Sequence, residues 1–214
     1  NKMYLDKIAK DLGEIPFSRQ LILEFLKEYK RPNDKISEWV KSGELTILRR
    51  GLYIPGPESN LLKPEPFLIA NHLRGPSYVS LESALSYWGL IPERVYDITS
   101  VTLKSKKIYK TPVAKFSYQF LPTPYFSFGI ESIPVNPKQT VLIASIEKAI
   151  CDKLILTSGI NLRSIKQTKD LLIEDLRIDE ALLKKVDVKI ISSWLIDTPK
   201  KNSIEMLIKT LIDL

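Results

Sequence analysis

The side chains best suited to chemistry in this chain are cations grouped near its amino terminus. Arg49 and Arg50 stand together before Gly51, between two short apolar runs. A guanidinium group binds phosphate with a fixed fork of N–H donors, so a turn tipped by two arginines suits a phosphodiester backbone. The sequence therefore predicts that Arg49 and Arg50 contact nucleic-acid phosphates, which adds affinity and register without reading bases.

Further polar residues precede this turn and surround a predicted helix. Asp34, Ser37, Glu38 and Lys41 lie opposite the apolar side of that helix and are candidates for a base-facing surface. Two of them are acidic and repel phosphate, although a carboxylate can accept a hydrogen bond from the amino group of cytosine. The predicted DNA contacts are Lys27, Lys30, Arg31, Lys35, Ser37, Lys41, Arg49 and Arg50.

Apolar periodicity predicts three helices that position these residues. Leu5, Ile8 and Leu12 have helical spacing and are followed by Gly13. Ser18 is a suitable N-cap for a second helix, and Asn33 for a third that ends at Gly43. The predicted buried residues of the second and third helices are Leu21, Ile22, Phe25, Leu26, Ile36, Trp39 and Val40.

After the third helix the pattern changes from helical to extended. Residues 45–48 and 52–54 read as two strands joined by the tight turn at Arg49–Gly51. Three helices followed by such a hairpin predict a winged helix-turn-helix over residues 1–57, with the third helix in the major groove. A winged helix that contacts only another protein is the alternative.

The remainder, residues 58–214, is predicted to be a separate mixed α/β domain, which makes the chain α+β. A proline-rich segment over 55–66 predicts a linker or a domain boundary. Ser80 is a predicted cap for a helix from Leu81, and the alternation around Phe116 and Tyr118 predicts a strand. Strands over 126–133 and 140–143 complete a small, mainly antiparallel sheet, and the chain ends in a helical tail.

A lysine cluster belongs to the predicted sheet. As a structural feature, lysines protect a sheet edge from aggregation. As a functional feature, they form a secondary patch for DNA or a partner protein. The cluster consists of Lys104, Lys106, Lys107, Lys110 and Lys115.

The sequence does not predict an enzyme, and it predicts no catalytic residue, cofactor or metal site. His72 is the single histidine and Cys151 the single cysteine, so neither has a partner of its own kind for a zinc site or disulfide. Cys151 is predicted to be a small buried apolar residue. The acid-x-lysine sequence at Asp187–Lys189 weakly resembles a nuclease metal site, but its surroundings read as helix.

Composition limits the partners and the compartment. With 32 basic and 25 acidic residues the chain carries a formal charge of +7, which attracts polyanions without identifying one. No apolar run is long enough to span a bilayer, so no membrane partner is predicted. The lone cysteine fits a reducing compartment, and the predicted location is the cytoplasm.

Three segments, in order, resemble the AbiEi antitoxins of bacterial abortive-infection systems, which are type IV toxin–antitoxin systems of phage defence. The resemblance covers about residues 4–155. The matching segments are Ser42–Leu45 with Arg49–Tyr53, Tyr78–Leu85 with Gly89–Pro92, and Ala144–Asp152.

The resemblance implies a function and two partners. It implies a transcriptional repressor that binds double-stranded DNA at its own promoter, at inverted repeats, through a winged helix-turn-helix. It also implies that the carboxyl-terminal part counteracts an AbiEii-like nucleotidyltransferase toxin. Carried over to matching positions, Lys35, Ser37, Lys41, Arg49 and Arg50 contact DNA, whereas the second and third segments are scaffold.

Overall fold

The computed structural model describes residues 5–8, 14–93 and 95–214 and confirms an α+β fold with two sheets. The strands are β1 (Phe17–Ser18), β2 (Leu45–Arg49), β3 (Leu52–Pro55), β4 (Ser77–Val79), β5 (Ile98–Thr102), β6 (Lys107–Lys110), β7 (Lys115–Phe120), β8 (Ile130–Asn136) and β9 (Gln139–Ala144). The main helices are α1 (Arg19–Phe25), α2 (Pro32–Lys41), α3 (Pro66–Leu73), α4 (Leu81–Tyr87), α5 (Ile146–Leu156), α6 (Ile165–Lys169), α7 (Glu180–Leu183), α8 (Val188–Trp194) and α9 (Lys201–Ile212).

The amino-terminal unit packs α1 and α2 against a three-stranded sheet of order β1-β3-β2. Residues 5–8 are helical and contribute to the same core, whereas Leu12 and Gly13 of the predicted first helix lie outside the described residues. Ser18 caps α1 as predicted, because its hydroxyl accepts a hydrogen bond from Leu21 N at 3.2 Å. The buried side chains are Leu5, Ile8, Phe17, Ile22, Leu26, Ile36, Trp39, Leu45 and Tyr53.

The predicted cap of α2 is wrong. Pro32 occupies the first helical position and Arg31 the capping position, and no side chain caps the helix. Proline suits that position because its missing N–H would have no helical partner. Asn33 therefore lies inside the helix, and its side-chain oxygen accepts a hydrogen bond from Arg19 instead.

The larger sheet has six strands in the order β6-β7-β5-β4-β9-β8. The sheet is mainly antiparallel, as predicted, because three of its five pairs of neighbouring strands are antiparallel. The pairs β4–β9 and β5–β7 are parallel. The strand predicted over 126–133 starts too early, because Tyr125–Ser127 is a 3-10 turn and β8 begins at Ile130. Pro122 and Pro124 follow the preceding strand. Because proline has no N–H to donate to a neighbouring strand, it favours a turn here over continued strand pairing.

The β2–β3 hairpin joins the two units of the fold. Leu48, Leu52 and Ile54 belong to the same apolar core as Ile69 and Leu73 of α3. Tyr53, between Leu52 and Ile54 on β3, packs into the amino-terminal core. Successive side chains of a strand point to opposite faces, so β3 is buried on both. Packing therefore fixes the hairpin against α3.

The proline-rich segment predicted as a linker is held by hydrogen bonds at both ends. Gly56 N donates to Glu44 O at 2.8 Å, and Glu65 N donates to the side chain of Gln139 at 2.7 Å. A Cβ atom on Gly56 would lie only 2.1 Å from Gly43 O, so this approach requires glycine. The segment therefore runs close to both units.

Helices cover the larger sheet and form the carboxyl-terminal part of the chain, as predicted. Cys151 is fully buried on α5, which agrees with its prediction as a small apolar residue. Asp187 caps α8, because its Oδ1 accepts hydrogen bonds from the backbone N–H groups of Lys189 and Ile190. No helix among the described residues is long and apolar enough to cross a membrane.

A fully buried ion pair lies between α5 and the larger sheet. Lys148 Nζ is 3.4 Å from Asp152 Oδ1 and donates to Tyr125 O at 2.7 Å. Hydroxyl groups of Tyr78, Ser80 and Tyr125 donate to the Asp152 carboxylate at 2.8–3.1 Å. Ser80 therefore does not cap α4 through its side chain as predicted. This network is absent from the sequence-based predictions.

Burial and hydrogen bonding have opposite effects on this pair. Burial raises the pKa of Asp152 and lowers the pKa of Lys148, because it disfavours both charges. The neighbouring charge and the three hydroxyl donors act in the other direction and favour the ionised pair. Removing one partner would leave the other charge buried without compensation.

We therefore expect Asp152→Ala to lower the free energy of unfolding by about 3–5 kcal/mol, since Lys148 loses its counter-ion. The double variant Lys148→Met/Asp152→Leu should cost less than Asp152→Ala alone, because no unpaired charge remains. Urea unfolding followed by circular dichroism measures both. Asp213→Ala, which breaks an exposed pair with Lys169, is the control and should change little. A double variant at least as costly as Asp152→Ala would contradict this account.

Candidate nucleic-acid interface

Arg19 connects the three elements that carry the predicted interface. It is the first residue of α1, and its backbone N donates to Gly51 O in the hairpin turn at 2.9 Å. Its guanidinium donates to Asn33 Oδ1 on α2 at 2.7 Å, and the side chain is exposed. Sequence analysis missed Arg19, since only folding brings it beside a turn more than thirty residues away.

The exposed side of α2 is mixed in charge. Asp34, Ser37, Glu38 and Lys41 are all exposed, as predicted for a base-facing surface. Asp34 lies 3.8 Å from the guanidinium of Arg31, so its charge is partly offset. The Ser37 hydroxyl donates to the backbone oxygen one helical turn earlier.

Lys35, which is among the predicted DNA contacts, does not lie on that exposed side. Its side chain is only 7% exposed, its Nζ lies 2.8 Å from Glu38 Oε1, and it is 5.6 Å from the centre of the Trp39 ring. Lys35 and Trp39 are four residues apart and share one helix face, which is the buried one. Its long aliphatic chain is therefore part of the packing around Trp39.

The other predicted contacts near α2 remain on the surface. Lys27, Lys30 and Arg31 are exposed between α1 and α2. Lys27 lies with Glu24 and Glu28 around a depression of about 420 Å³, so two carboxylates share its surroundings. Lys30 and Arg31 directly precede α2, which begins at Pro32, whereas Lys27 lies farther from the start of this helix.

The two hairpin arginines differ in their contacts. Arg49 Nε donates to Leu73 O, at the end of α3, at 3.0 Å, and its Nη1 donates to Arg50 O at 3.2 Å. Arg50 is exposed and pairs with no carboxylate among residues 5–8, 14–93 and 95–214. The Gly51 backbone has a φ of +78°, which suits glycine at the tip. Arg50 is therefore the hairpin cation best placed for a ligand.

A groove of about 600 Å³ separates the hairpin from the edge of the larger sheet. We call it the basic groove, and its lining residues are Arg49, Arg50, His72, Leu73, Arg74, Gly75, Lys104, Lys107 and Tyr109. The hairpin arginines and two lysines of the predicted secondary patch, far apart in sequence, thus share one depression. Such a concentration of cations favours an anionic ligand.

The other lysines of the cluster lie outside the basic groove. Lys106 and Lys110 are exposed but do not line it. Lys115 forms an ion pair with Asp97 instead. The predicted secondary patch is therefore reduced to Lys104 and Lys107 on the side that faces the hairpin.

His72 is the titratable group of the groove whose charge changes near neutral pH. Desolvation lowers its pKa from the ordinary value of 6.5. A bound anion would act in the opposite direction, because an adjacent negative charge favours the protonated imidazole.

The structure places the residues that the sequence analysis weighed for metal binding and thiol chemistry. No group of three or more His, Cys, Asp or Glu side chains among them is arranged to hold a metal ion. Asp187, the acidic residue of the weak nuclease-like pattern, has Oδ1 engaged as a helix cap. Burial raises the pKa of the Cys151 thiol, which opposes thiolate formation.

Comparison with known proteins supports the fold. No protein-family model matches the chain, and no curated protein matches it in sequence. The chain is similar to the crystal structure of the RV2827C protein from Mycobacterium tuberculosis, with a TM-score of 0.60 at 13% sequence identity. The similarity covers 96% of this chain and 75% of that protein. At this identity it bears on the fold alone.

The burial of Lys35 can be tested against Lys41, an exposed lysine on the same helix. Lys35→Ala removes three buried methylene groups, and at about 0.8 kcal/mol each the free energy of unfolding should fall by about 2 kcal/mol. Lys41→Ala should change it by less than about 0.5 kcal/mol. Urea unfolding followed by tryptophan fluorescence measures both, and equal effects would contradict the burial of Lys35.

Proposed function

We propose that this chain is a DNA-binding transcriptional regulator whose amino-terminal unit is a winged helix-turn-helix. The observation that carries the proposal is the order β1-α1-α2-β2-β3 with β3 between the other two strands. In this arrangement α2 is the recognition helix and the β2–β3 hairpin is the wing. The cations at the hairpin tip and at the start of α1 support a DNA ligand over an uncharged one.

The proposed interface has two kinds of contact, one to phosphates and one to base edges. Arg19 and Arg50 are exposed beside the same turn and are assigned to phosphates. Ser37 and Lys41, on the exposed side of α2, are assigned to base edges in the major groove. Arg31 and Lys35 offset part of the negative charge of Asp34 and Glu38, which reduces their repulsion of phosphate.

The biological role rests on the resemblance to the AbiEi antitoxins. On that basis the chain represses its own promoter and neutralises a nucleotidyltransferase toxin. The larger sheet and the carboxyl-terminal helices are assigned to the toxin, because the winged helix accounts for the DNA. Exposed apolar side chains at Ile190, Ile196 and Ile212 provide candidate contacts there.

A protein-interaction adaptor is the second candidate, and one observation favours it. The exposed side of α2 carries two carboxylates, Asp34 and Glu38, where a recognition helix usually carries donors for phosphate and base acceptors. An adaptor would bind the product of a neighbouring gene and would shift no promoter fragment.

Salt dependence of promoter binding tests the phosphate contacts. Arg19→Ala/Arg50→Ala should weaken binding to all sequences, and the log–log slope of affinity against salt should become shallower by about 1.8, at about 0.9 for each lost contact. Fluorescence anisotropy with a promoter duplex at several salt concentrations measures it.

Lys185→Ala/Lys209→Ala is the charge-matched control, because it removes two exposed cations from the carboxyl-terminal part of the chain. Its slope should equal that of the unmodified chain. If Arg19→Ala/Arg50→Ala also leaves the slope unchanged, these two residues are not at the interface. If the unmodified chain binds no duplex, the adaptor is favoured.

Co-expression tests the antitoxin role separately. We expect the chain to restore growth of cells that express its proposed cognate toxin, a nucleotidyltransferase. Arg19→Ala/Arg50→Ala should protect equally well, because these residues are assigned to DNA and not to the toxin. Failure of the unmodified chain to protect, with both proteins expressed, would contradict the antitoxin role.

A further inference from the structure

The basic groove collects positive charge from three separate parts of the chain. Its permanent cations are Arg49 and Arg50 of the β2–β3 hairpin, Arg74 after α3, Lys104 before β6 and Lys107 of β6. No carboxylate is among the described residues that line it. Like charges this close repel one another, and low-dielectric walls strengthen their combined potential. A small anion with several charges offsets this repulsion and is therefore favoured over a neutral ligand.

Two of the arginines hold the walls of the groove. Arg74 donates to Ser105 O at 2.8 Å and to the Tyr109 hydroxyl at 3.2 Å, which fixes the β5–β6 connection. Arg49 Nε donates to Leu73 O at the end of α3. The walls are therefore in place before a ligand binds, and less of the binding energy is lost in ordering the site.

The other three cations keep their donors for a ligand. Arg50, Lys104 and Lys107 are exposed, and none of them forms an ion pair or a side-chain hydrogen bond within the described part of the chain. Lys107 Nζ lies 5.1 Å from the centre of the Tyr109 ring, which holds it beside the groove wall. These three side chains line one depression, so they can bind neighbouring phosphates of a single ligand.

The volume and the charge of the groove indicate the kind of anion. Its volume of about 600 Å³ lies within the range of about 300–1,000 Å³ that is usual for small-molecule and cofactor sites. A linear triphosphate group carries about four negative charges near neutral pH, because its terminal phosphate titrates like a phosphomonoester. That charge nearly balances the permanent cations of the groove, whereas a single phosphate leaves most of them uncompensated.

We infer that the basic groove is a binding site for a compact polyphosphate, namely the triphosphate group of a nucleotide or of free inorganic triphosphate. Arg50, Lys104 and Lys107 bind its phosphates. Arg49 and Arg74 hold the walls and add positive charge. These cations recognise phosphate and not a base, so the triphosphate group that both ligands share determines the affinity.

A polyphosphate in the groove occupies Arg50, which is assigned above to a DNA phosphate. The ligand and the duplex then compete for the same guanidinium, so the ligand lowers the affinity of the chain for DNA. This regulatory role rests on the proposed function, whereas the binding site itself does not. Through this competition the concentration of a soluble polyphosphate would control promoter binding.

Isothermal titration calorimetry of the untagged full chain tests the site, at fixed ionic strength and without divalent cations. We expect inorganic triphosphate to bind at least about tenfold more tightly than orthophosphate, because it meets several cations at once. Equal affinities, or no binding of triphosphate, would overturn the inference. ATP and GTP form the second arm: tighter binding than that of free triphosphate identifies a nucleotide as the ligand, and weaker binding identifies free polyphosphate.

A matched pair of variants locates the site. Lys104→Ala/Lys107→Ala should weaken triphosphate binding at least about tenfold, since two charged hydrogen bonds are lost. Lys185→Ala/Lys209→Ala removes the same formal charge from exposed residues elsewhere and should leave the affinity unchanged. Circular dichroism should give the same spectrum for both variants and the unmodified chain. Equal losses of affinity in the two variants would show attraction to net charge alone, against the inference.

His72 reports on the groove directly, because it is the one histidine of the chain. The groups that share the groove with it are the cations of Arg49, Arg50, Arg74, Lys104 and Lys107 and the neutral Tyr109 hydroxyl. Bound triphosphate should raise the pKa of His72, because a nearby negative charge favours the protonated imidazole. Nuclear magnetic resonance follows this titration. An unchanged pKa of His72 under saturating triphosphate would place the ligand elsewhere.

Fluorescence anisotropy with a promoter duplex tests the competition. Triphosphate should weaken duplex binding more than orthophosphate at the same ionic strength, and Lys104→Ala/Lys107→Ala should remove most of the difference. If triphosphate occupies the groove without affecting duplex binding, the regulatory role is wrong and the site is retained. If the unmodified chain binds no duplex, the proposed function fails, and calorimetry decides the groove site by itself.

Discussion

The packing of the β2–β3 hairpin between two apolar cores is the interaction on which the arrangement depends. Leu52 and Ile54 are buried in the larger core and Tyr53 in the smaller one. Complete burial of such side chains contributes about 1.5–3 kcal/mol each. Moving the hairpin away from α3 would expose them, so the hairpin is held in a fixed position beside the larger unit. The basic groove is a direct result of that position.

The arginines around the groove show how one residue type serves two purposes. Arg49 and Arg74 donate to carbonyl oxygens at the ends of nearby elements and so hold the walls. Both side chains are exposed, but among the described residues the Arg50 side chain donates no hydrogen bond. Secondary-structure position decides the difference, because Arg49 is still within β2 whereas Arg50 is in the turn. Two adjacent arginines therefore have different roles.

The buried Lys148–Asp152 pair provides a second constraint, between α5 and the larger sheet. Its donors Tyr78 and Ser80 lie at the end of β4, and Lys148 and Asp152 lie on α5. These four residues fall within the second and third of the segments on which the predicted family resemblance rests. Desolvation offsets much of the attraction within such a pair, but removing one partner is costly because the other charge stays buried. The two segments are therefore joined by one buried polar network.

The sequence alone determined most of the local structure. Apolar spacing placed α1, α2 and the hairpin, the Ser18 cap was recognisable from its type and position, and the two arginines at a turn indicated a phosphate ligand. These features depend on neighbours within a few residues, and helical or extended periodicity is enough to predict them. The predicted boundaries of helices and strands differ from the structure where proline sets them, as at Pro32 and before Tyr125.

Only the tertiary structure decided which of the predicted cations remain available at the surface. Lys35 is buried against Trp39, Arg49 is bound to α3, and Lys104 and Lys107 lie across from Arg50. Arg19 reaches the hairpin turn only after the chain folds back on itself. Charge is a property of the residue, but its availability depends on burial and on partners that are distant in sequence. That is why composition and spacing could predict an anionic ligand, whereas packing determined which of the cations are exposed and unpaired.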